Sequence, residues 1–147
     1  MTPTARDIDI LKRTVWGEAR GESREGQAGV TWVILHRATL AALYVARRKK
    51  PHPLFGDGSV ADACLVPFQF SSWNKNDPNR SKMLAVTADD PSFEACCDVV
   101  SDVLSGQIPD PVPMATHYCT VGLRPAWGIG LLPFCVIGRH EFYRDVP

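Results

Sequence analysis

Thr14-Val15-Trp16-Gly17-Glu18-Ala19-Arg20-Gly21-Glu22-Ser23 is a stretch in which one helix must end and another begin. Upstream, Ile8, Leu11 and Val15 recur at helical spacing behind Thr4 and Asp7, which stand three apart as a capping pair does. The spacing predicts a first helix over about residues 5–19. Gly21 is free to take the left-handed conformation that closes a helix, and Ser23 can cap the next one. Glu18 is thus expected in a last helical turn. There the negative end of the helix dipole disfavours an ionised carboxylate, and Val15 and Trp16 can add an apolar wall. A carboxylic acid that keeps its proton is what general acid catalysis requires.

Beyond Ser23, the residues Ala28, Val30, Val33, Ile34, Ala38 and Ala41 spread apolar character around much of a helix, the mark of a buried central one. Pro51 and Pro53 stop it, Gly56-Asp57-Gly58 turns the chain, and Ser59 can cap a short helix through Val60, Ala61 and Cys64. From 67 to 79, Phe68, Phe70 and Trp73 alternate with Gln69, Ser71, Ser72 and Asn74 without a helical period, a mixture that suits a cleft wall or a loop. Asp90 and Pro91 open a helix expected over about 91–105, carrying Phe93, Cys96, Cys97, Val100, Val103 and Leu104. After a proline-rich segment, residues 115–121 and 134–137 read as strands of a small antiparallel unit, to which 139–143 adds a last strand or turn. The expected fold class is α+β, a mainly helical single domain over residues 1–147 with a small C-terminal antiparallel β-hairpin.

With 147 residues and 45% apolar content the chain can bury one core. Sixteen basic and sixteen acidic side chains cancel, so no partnership with nucleic acid or an anionic membrane is indicated. The run Arg47-Arg48-Lys49-Lys50 reads as a solvated helix end. Residues Met1 to Asp7 lack the apolar core of a secretory signal, and no apolar run approaches the roughly 20 residues that span a bilayer. No membrane anchor is expected. Five cysteines, an odd number that includes the adjacent Cys96-Cys97, do not form a disulfide framework and suggest free thiols in a reducing cytoplasm. A monomer is expected.

Five blocks carry a resemblance: Gly17-Glu18-Ala19-Arg20-Gly21-Glu22; Gln27 with Val30-Thr31-Trp32-Val33-Ile34-Leu35-His36-Arg37; Phe68-Gln69-Phe70-Ser71-Ser72-Trp73; Ala115-Thr116-His117-Tyr118; and Ile137-Gly138-Arg139-His140-Glu141-Phe142-Tyr143. In this order they resemble the SleB-type cell wall hydrolases, a family of spore cortex-lytic enzymes and phage or bacterial muralytic proteins. The resemblance implies a lysozyme-like arrangement with Glu18 as the catalytic acid at a helix end facing a cleft. Composition alone would make Glu18 a helix-surface carboxylate paired with Arg13 or Arg20; the resemblance outweighs that reading.

A standard glycosidase needs a second carboxylate, about 5 Å away or further. Glu22, Glu25, Asp57, Asp62 and Asp77 are available, none in a motif that singles it out, and Glu22 reads as a solvated or helix-positioning residue. Peptidoglycan offers a route with one glutamate, because the 6-hydroxyl of muramic acid can attack its own anomeric carbon and leave a 1,6-anhydro sugar. The resemblance implies this lytic transglycosylase route on peptidoglycan glycan strands, with water as nucleophile, a muramidase, left open.

Phe70, Trp73 and Trp127 can stack on sugar faces, Trp73 foremost, and Gln69, Ser71 and Asn74 can bond hydroxyl and acetamido groups; core packing is the alternative for each aromatic. Thr116, His117 and Tyr118 form a block similar to the family's, in which His117 orients a sugar or a nearby backbone segment, or sits in the core bonded to a carbonyl. His117, Cys119, Cys135 and His140 are poorly spaced for zinc, and no His-Glu-x-x-His string is present, so neither metal nor other cofactor is expected. No cysteine lies in a nucleophile turn, which counts against a Cys-His or zinc amidase or peptidase. A non-catalytic peptidoglycan-binding module is the remaining alternative. Ser72 stands where related sequences often have Cys. Family members of the spore cortex commonly carry a secretion signal and a separate binding domain, neither of which is seen here. The expectation is therefore a phage or prophage endolysin, made in the bacterial cytoplasm and acting on the wall after holin-type release.

Overall fold

Thr4 and Asp7 do form a reciprocal cap. The Thr4 hydroxyl accepts from the Asp7 N–H at 3.1 Å and the Asp7 carboxylate accepts from the Thr4 N–H at 2.8 Å, which starts helix α1, Ala5–Ala19. The computed structural model describes residues 2–147; Met1, the first residue of the amino-terminal stretch, lies outside the described residues. Asp7 also accepts from the Ala61 N–H at 2.8 Å, tying α1 to the short helix α3, Val60–Leu65, which Ser59 caps. Burial opposes ionisation of Asp7, but these bonds and Arg6 outweigh it and hold the carboxyl below its usual range.

Helix α2, Arg24–Arg48, is capped by Ser23 and ends at Lys49 in the left-handed conformation. Its apolar residues Ala28, Val30, Val33, Ile34, Ala38 and Ala41 are all buried, because α1, α3 and the later helix α5, Pro91–Leu104, pack around it. By length and composition α2 is apolar enough to cross a membrane, although polar residues interrupt its apolar runs; half of that stretch is buried inside the fold. Leu11 and Val15 of α1 join it in the main core with Val100 of α5 and Phe142 near the C-terminus. Each such side chain contributes about 1.5–3 kcal/mol by leaving water.

The helix α4, Pro78–Ala85, was not expected. Its start signal is present in Asp77, which caps it, and Pro78 in its first turn, but Asn79, Arg80, Ser81 and Lys82 give it no apolar stripe. Its one buried residue, Met83, sits on Gly17: a Cβ there would lie 2.6 Å from the Met83 sulfur. The glycine preceding Glu18 thus lets α4 close on α1.

Three strands complete the fold: β1, His117–Thr120, β2, Cys135–Ile137, and β3, His140–Tyr143. They form one antiparallel sheet in the order β1-β3-β2, with Tyr118 opposite Phe142 and Cys135 opposite Phe142 on the other side. The final segment is therefore the central strand, and the small sheet has three strands rather than the two of a hairpin. Cys119 and Cys135 lie on opposite edges. Two strand spacings of about 4.8 Å separate them, beyond the roughly 7 Å that a disulfide can bridge.

Candidate active site

Glu18 occupies the last turn of α1, and the turn that follows is built differently from the sequence expectation. Gly21 is not left-handed; the helix closes on Arg20 in the right-handed region. The side-chain amide of Gln27, one turn into α2, donates to the carbonyls of Ala19 at 3.3 Å and Glu22 at 3.2 Å, bracing the turn between the two helices, in which the Glu22 N–H also donates to Ala19 at 2.9 Å. The Arg139 guanidinium lies over Gly21, with Nη2 donating to its carbonyl at 3.4 Å.

Two hydroxyls hold the Glu18 carboxylate, one on each oxygen. Tyr118 of β1 donates to Oε1 at 2.5 Å and Ser72 donates to Oε2 at 3.1 Å. The pairing with Arg13 or Arg20 that composition alone offered is not made, since Arg13 binds Asp9 at 3.1 Å and the Arg20 guanidinium lies 4.4 Å over the Trp16 ring. Trp16 does not wall Glu18 either; its indole N–H donates to Ser92 at 2.9 Å and its ring packs edge-on to Phe93 of α5. Burial, followed by the neighbouring Glu18 charge and hydrogen bond, pushes the Tyr118 phenol well above its usual range. Tyr118 is consequently a donor at any working pH.

Glu18 and Tyr118 open into a cleft of about 340 Å³ whose walls include Gln69, Phe70, His117 and Trp127. His117 is drawn against the Trp127 ring at 4.8 Å, and burial, then the charge of Arg37, lowers its pKa to about 4. A neutral imidazole results. A larger groove of about 460 Å³ lies elsewhere, lined by Trp32, Leu35, Leu43 and Leu104. Among the described residues that line it, Asp7 is the only ionisable one, and its carboxylate is taken up by capping bonds.

Of the residues proposed from sequence, the cleft brings together Glu18, Gln69, Phe70, His117, Tyr118 and Trp127. Four others, Ser71, Trp73, Asn74 and Thr116, do not line it. Ser71, Ser72 and Trp73 form a turn of 3-10 helix, which rotates successive side chains by about 120°, where the sequence suggested two-residue alternation. Ser71 is left exposed, Ser72 turns to Glu18, and Trp73 packs on the core with its indole N–H donating to Thr14 at 2.9 Å. Thr116 is buried, its hydroxyl 2.9 Å from His117 Nδ1 and its carbonyl accepting from Arg37 at 2.6 Å. Arg37 and Ser72 were missed as site residues. Arg37 lines the cleft from α2, and only its placement in a family block hinted at this.

The other carboxylates have structural occupations. Asp57 and Asp62 bind backbone N–H groups of the 56–62 turn, and Asp77 caps α4. Glu25 lies in the first turn of α2 and lines a separate depression with Arg24 and Pro109. The Glu22 side chain is only 5% exposed and binds the Arg139 guanidinium at 2.9 Å and the Arg139 N–H at 2.9 Å. Burial opposes its ionisation, but these bonds and the Arg139 charge outweigh it and keep the carboxyl below its usual range. Among the described residues that line the cleft, Glu18 is the only acidic side chain. Burial also raises the thiols Cys64 and Cys96 to about 12, far from the thiolate that a cysteine nucleophile must present.

A family model for cell wall hydrolases matches residues 21–143. The chain belongs to the cell wall hydrolase family. Glu18 stands just ahead of the matched residues, held by Ser72 and Tyr118 within them. Two solved structures share the fold: the catalytic domain of the Bacillus cereus SleB protein, with TM-score 0.68 at 24% identity over 96% of this chain and 91% of that one, and the catalytic domain of the germination-specific lytic transglycosylase SleB from Bacillus anthracis, with TM-score 0.63 at 24% identity over 95% and 94%. No curated protein matches the sequence.

Proposed function

We propose that this cell wall hydrolase cleaves the glycan strands of peptidoglycan as a lytic transglycosylase, with Glu18 as the single acid and base. The observation that carries the reading is that Glu18 is the one acidic side chain among the described residues lining the cleft, fixed through both oxygens by Tyr118 and Ser72. Glu18 protonates the glycosidic oxygen as positive charge develops at the anomeric carbon. The muramic acid 6-hydroxyl then attacks that carbon and gives its proton to Glu18, which restores the acid and leaves a 1,6-anhydro end. No second carboxylate is needed to activate water. Trp127 offers a sugar-stacking face and Gln69 a hydrogen-bonding amide in the same cleft. The similarity to a domain described as a lytic transglycosylase supports the same choice.

Mass spectrometry of the fragments released from purified murein tests the reading. Anhydro ends are expected; reducing ends, heavier by one water, would replace the transglycosylase route with hydrolysis. Protein that sediments with murein and releases nothing would make the chain a binding module.

A further inference from the structure

We infer that Arg37 is a positioning residue for this reaction, a buried cation under the cleft that balances the Glu18 carboxylate and fixes the strand that carries Tyr118. The inference rests on the assignment of Glu18 made above. Arg37 is 5% exposed on α2, yet none of the ion pairs among the described residues includes it. A guanidinium stripped of water is costly unless its charge and its N–H groups are compensated. One N–H goes to the Thr116 carbonyl at 2.6 Å, while Nη1 is buried without a hydrogen-bond partner among the described residues. The rings of Phe55 and Phe70, 5.2 and 5.0 Å from the guanidinium carbon, supply further attraction through their electron-rich faces.

The remaining compensation must come from an anion. Three acidic groups act on Arg37: Tyr118, Cys64 and Glu18. Burial keeps the Tyr118 phenol and the Cys64 thiol neutral, which leaves the Glu18 carboxylate, formed when the acid gives up its proton, as the charge Arg37 meets across the cleft that both line. His117 senses the same cation across the cleft, its protonation opposed by burial and then by Arg37. When Glu18 surrenders its proton, the fixed charge of Arg37 stabilises the carboxylate that forms, at no reorganisation cost. The bond to Thr116 anchors the chain two residues before Tyr118, so one side chain sets both the field at Glu18 and the register of its hydroxyl donor.

A double-mutant cycle on the whole chain tests this, with Arg37→Gln and Glu18→Gln made singly and together. Thermal midpoints are read by circular dichroism at pH 7. Arg37→Gln is expected to lower the midpoint by about 4 °C more when Glu18 is present than in the Glu18→Gln background. Equal losses in both backgrounds would reduce Arg37 to a structural residue and overturn the inference. Should Arg37→Gln fail to fold, the double variant decides: recovery of the fold supports the coupling, and a second failure overturns it. In murein solubilisation Arg37→Gln is expected to lose about tenfold in kcat with half-saturation unchanged, and Arg37→Lys to regain most of that loss. A raised half-saturation at unchanged kcat would mean direct sugar contact and would also overturn it. Activity retained by Glu18→Gln would remove the proposed function while leaving the coupling measurement intact, so the two failures are distinguishable.

Discussion

The Tyr118 hydroxyl meets Oε1 of Glu18 at 2.5 Å across 100 residues of sequence, joining the end of the first helix to the first strand of the sheet. The short bond is made by a phenol that burial and the adjacent carboxylate keep protonated. It orients the acid while Ser72 holds its other oxygen, and mutants of Glu18 and Tyr118 separate proton transfer from positioning.

Glu18→Gln keeps the shape of the carboxyl but cannot donate the proton. Murein solubilisation is expected to fall by about 10² or more while the protein stays folded. Residual activity above a tenth of wild type would sink the assignment.

Tyr118→Phe removes one hydrogen bond and keeps the ring that packs on Phe142 and His140. A loss of about tenfold in kcat is expected, on the scale of a hydrogen bond to a charged group, with half-saturation and melting little changed. An unchanged kcat would show that Glu18 is placed without Tyr118.

Trp73 and Trp127 are expected to behave oppositely. Trp73→Ala should cost about 3 kcal/mol in denaturant unfolding, since the side chain packs on the core and binds Thr14. Trp127→Ala should leave folding nearly intact and weaken sedimentation with murein. Normal stability with poor binding in Trp73→Ala would return that residue to the cleft, as the sequence suggested.

Acid should destabilise the protein in a window set partly by His117. Its ordinary value of 6.5 falls to about 4 in the fold, so between these values the unfolded chain binds more protons than the native one, and stability rises with pH. The contribution is whole above about pH 6.5 and is lost as pH falls through about 4. His52 and His140 are lowered too, so His117→Gln should shrink the drop in melting midpoint over this window rather than abolish it. An unaltered drop would exclude His117 as a contributor.

Reductant is expected to leave melting and activity unchanged. All five cysteines are free thiols in the structure, and the central strand β3 separates Cys119 from Cys135. A clear fall in midpoint on reduction, on the scale of the roughly 2–4 kcal/mol that a disulfide contributes, would contradict this.

Local signals were legible in the chain itself. The Thr4 and Asp7 cap, the Ser23 cap, the all-round apolar character of α2 and the Asp90-Pro91 start of α5 each depend on neighbours within a turn or two, and each is realised in the fold. The position of Glu18 in a last helical turn follows from the same short-range rules. Tertiary contact decided the rest. Helix α4 forms against Gly17 through one buried methionine, which leaves no periodic trace. Gly21 does not make the left-handed turn that its type suggests, and its carbonyl instead accepts from the guanidinium of Arg139, a residue more than a hundred positions away. Trp73 and Ser71 left the cleft because three residues of 3-10 helix rotate side chains where an extended chain would alternate them. Arg37 became a site residue only because α2 and β1 meet at Thr116. Backbone propensity and capping act over a few residues and can be read from order alone, whereas a cleft is a meeting of distant segments whose side-chain directions are fixed by packing.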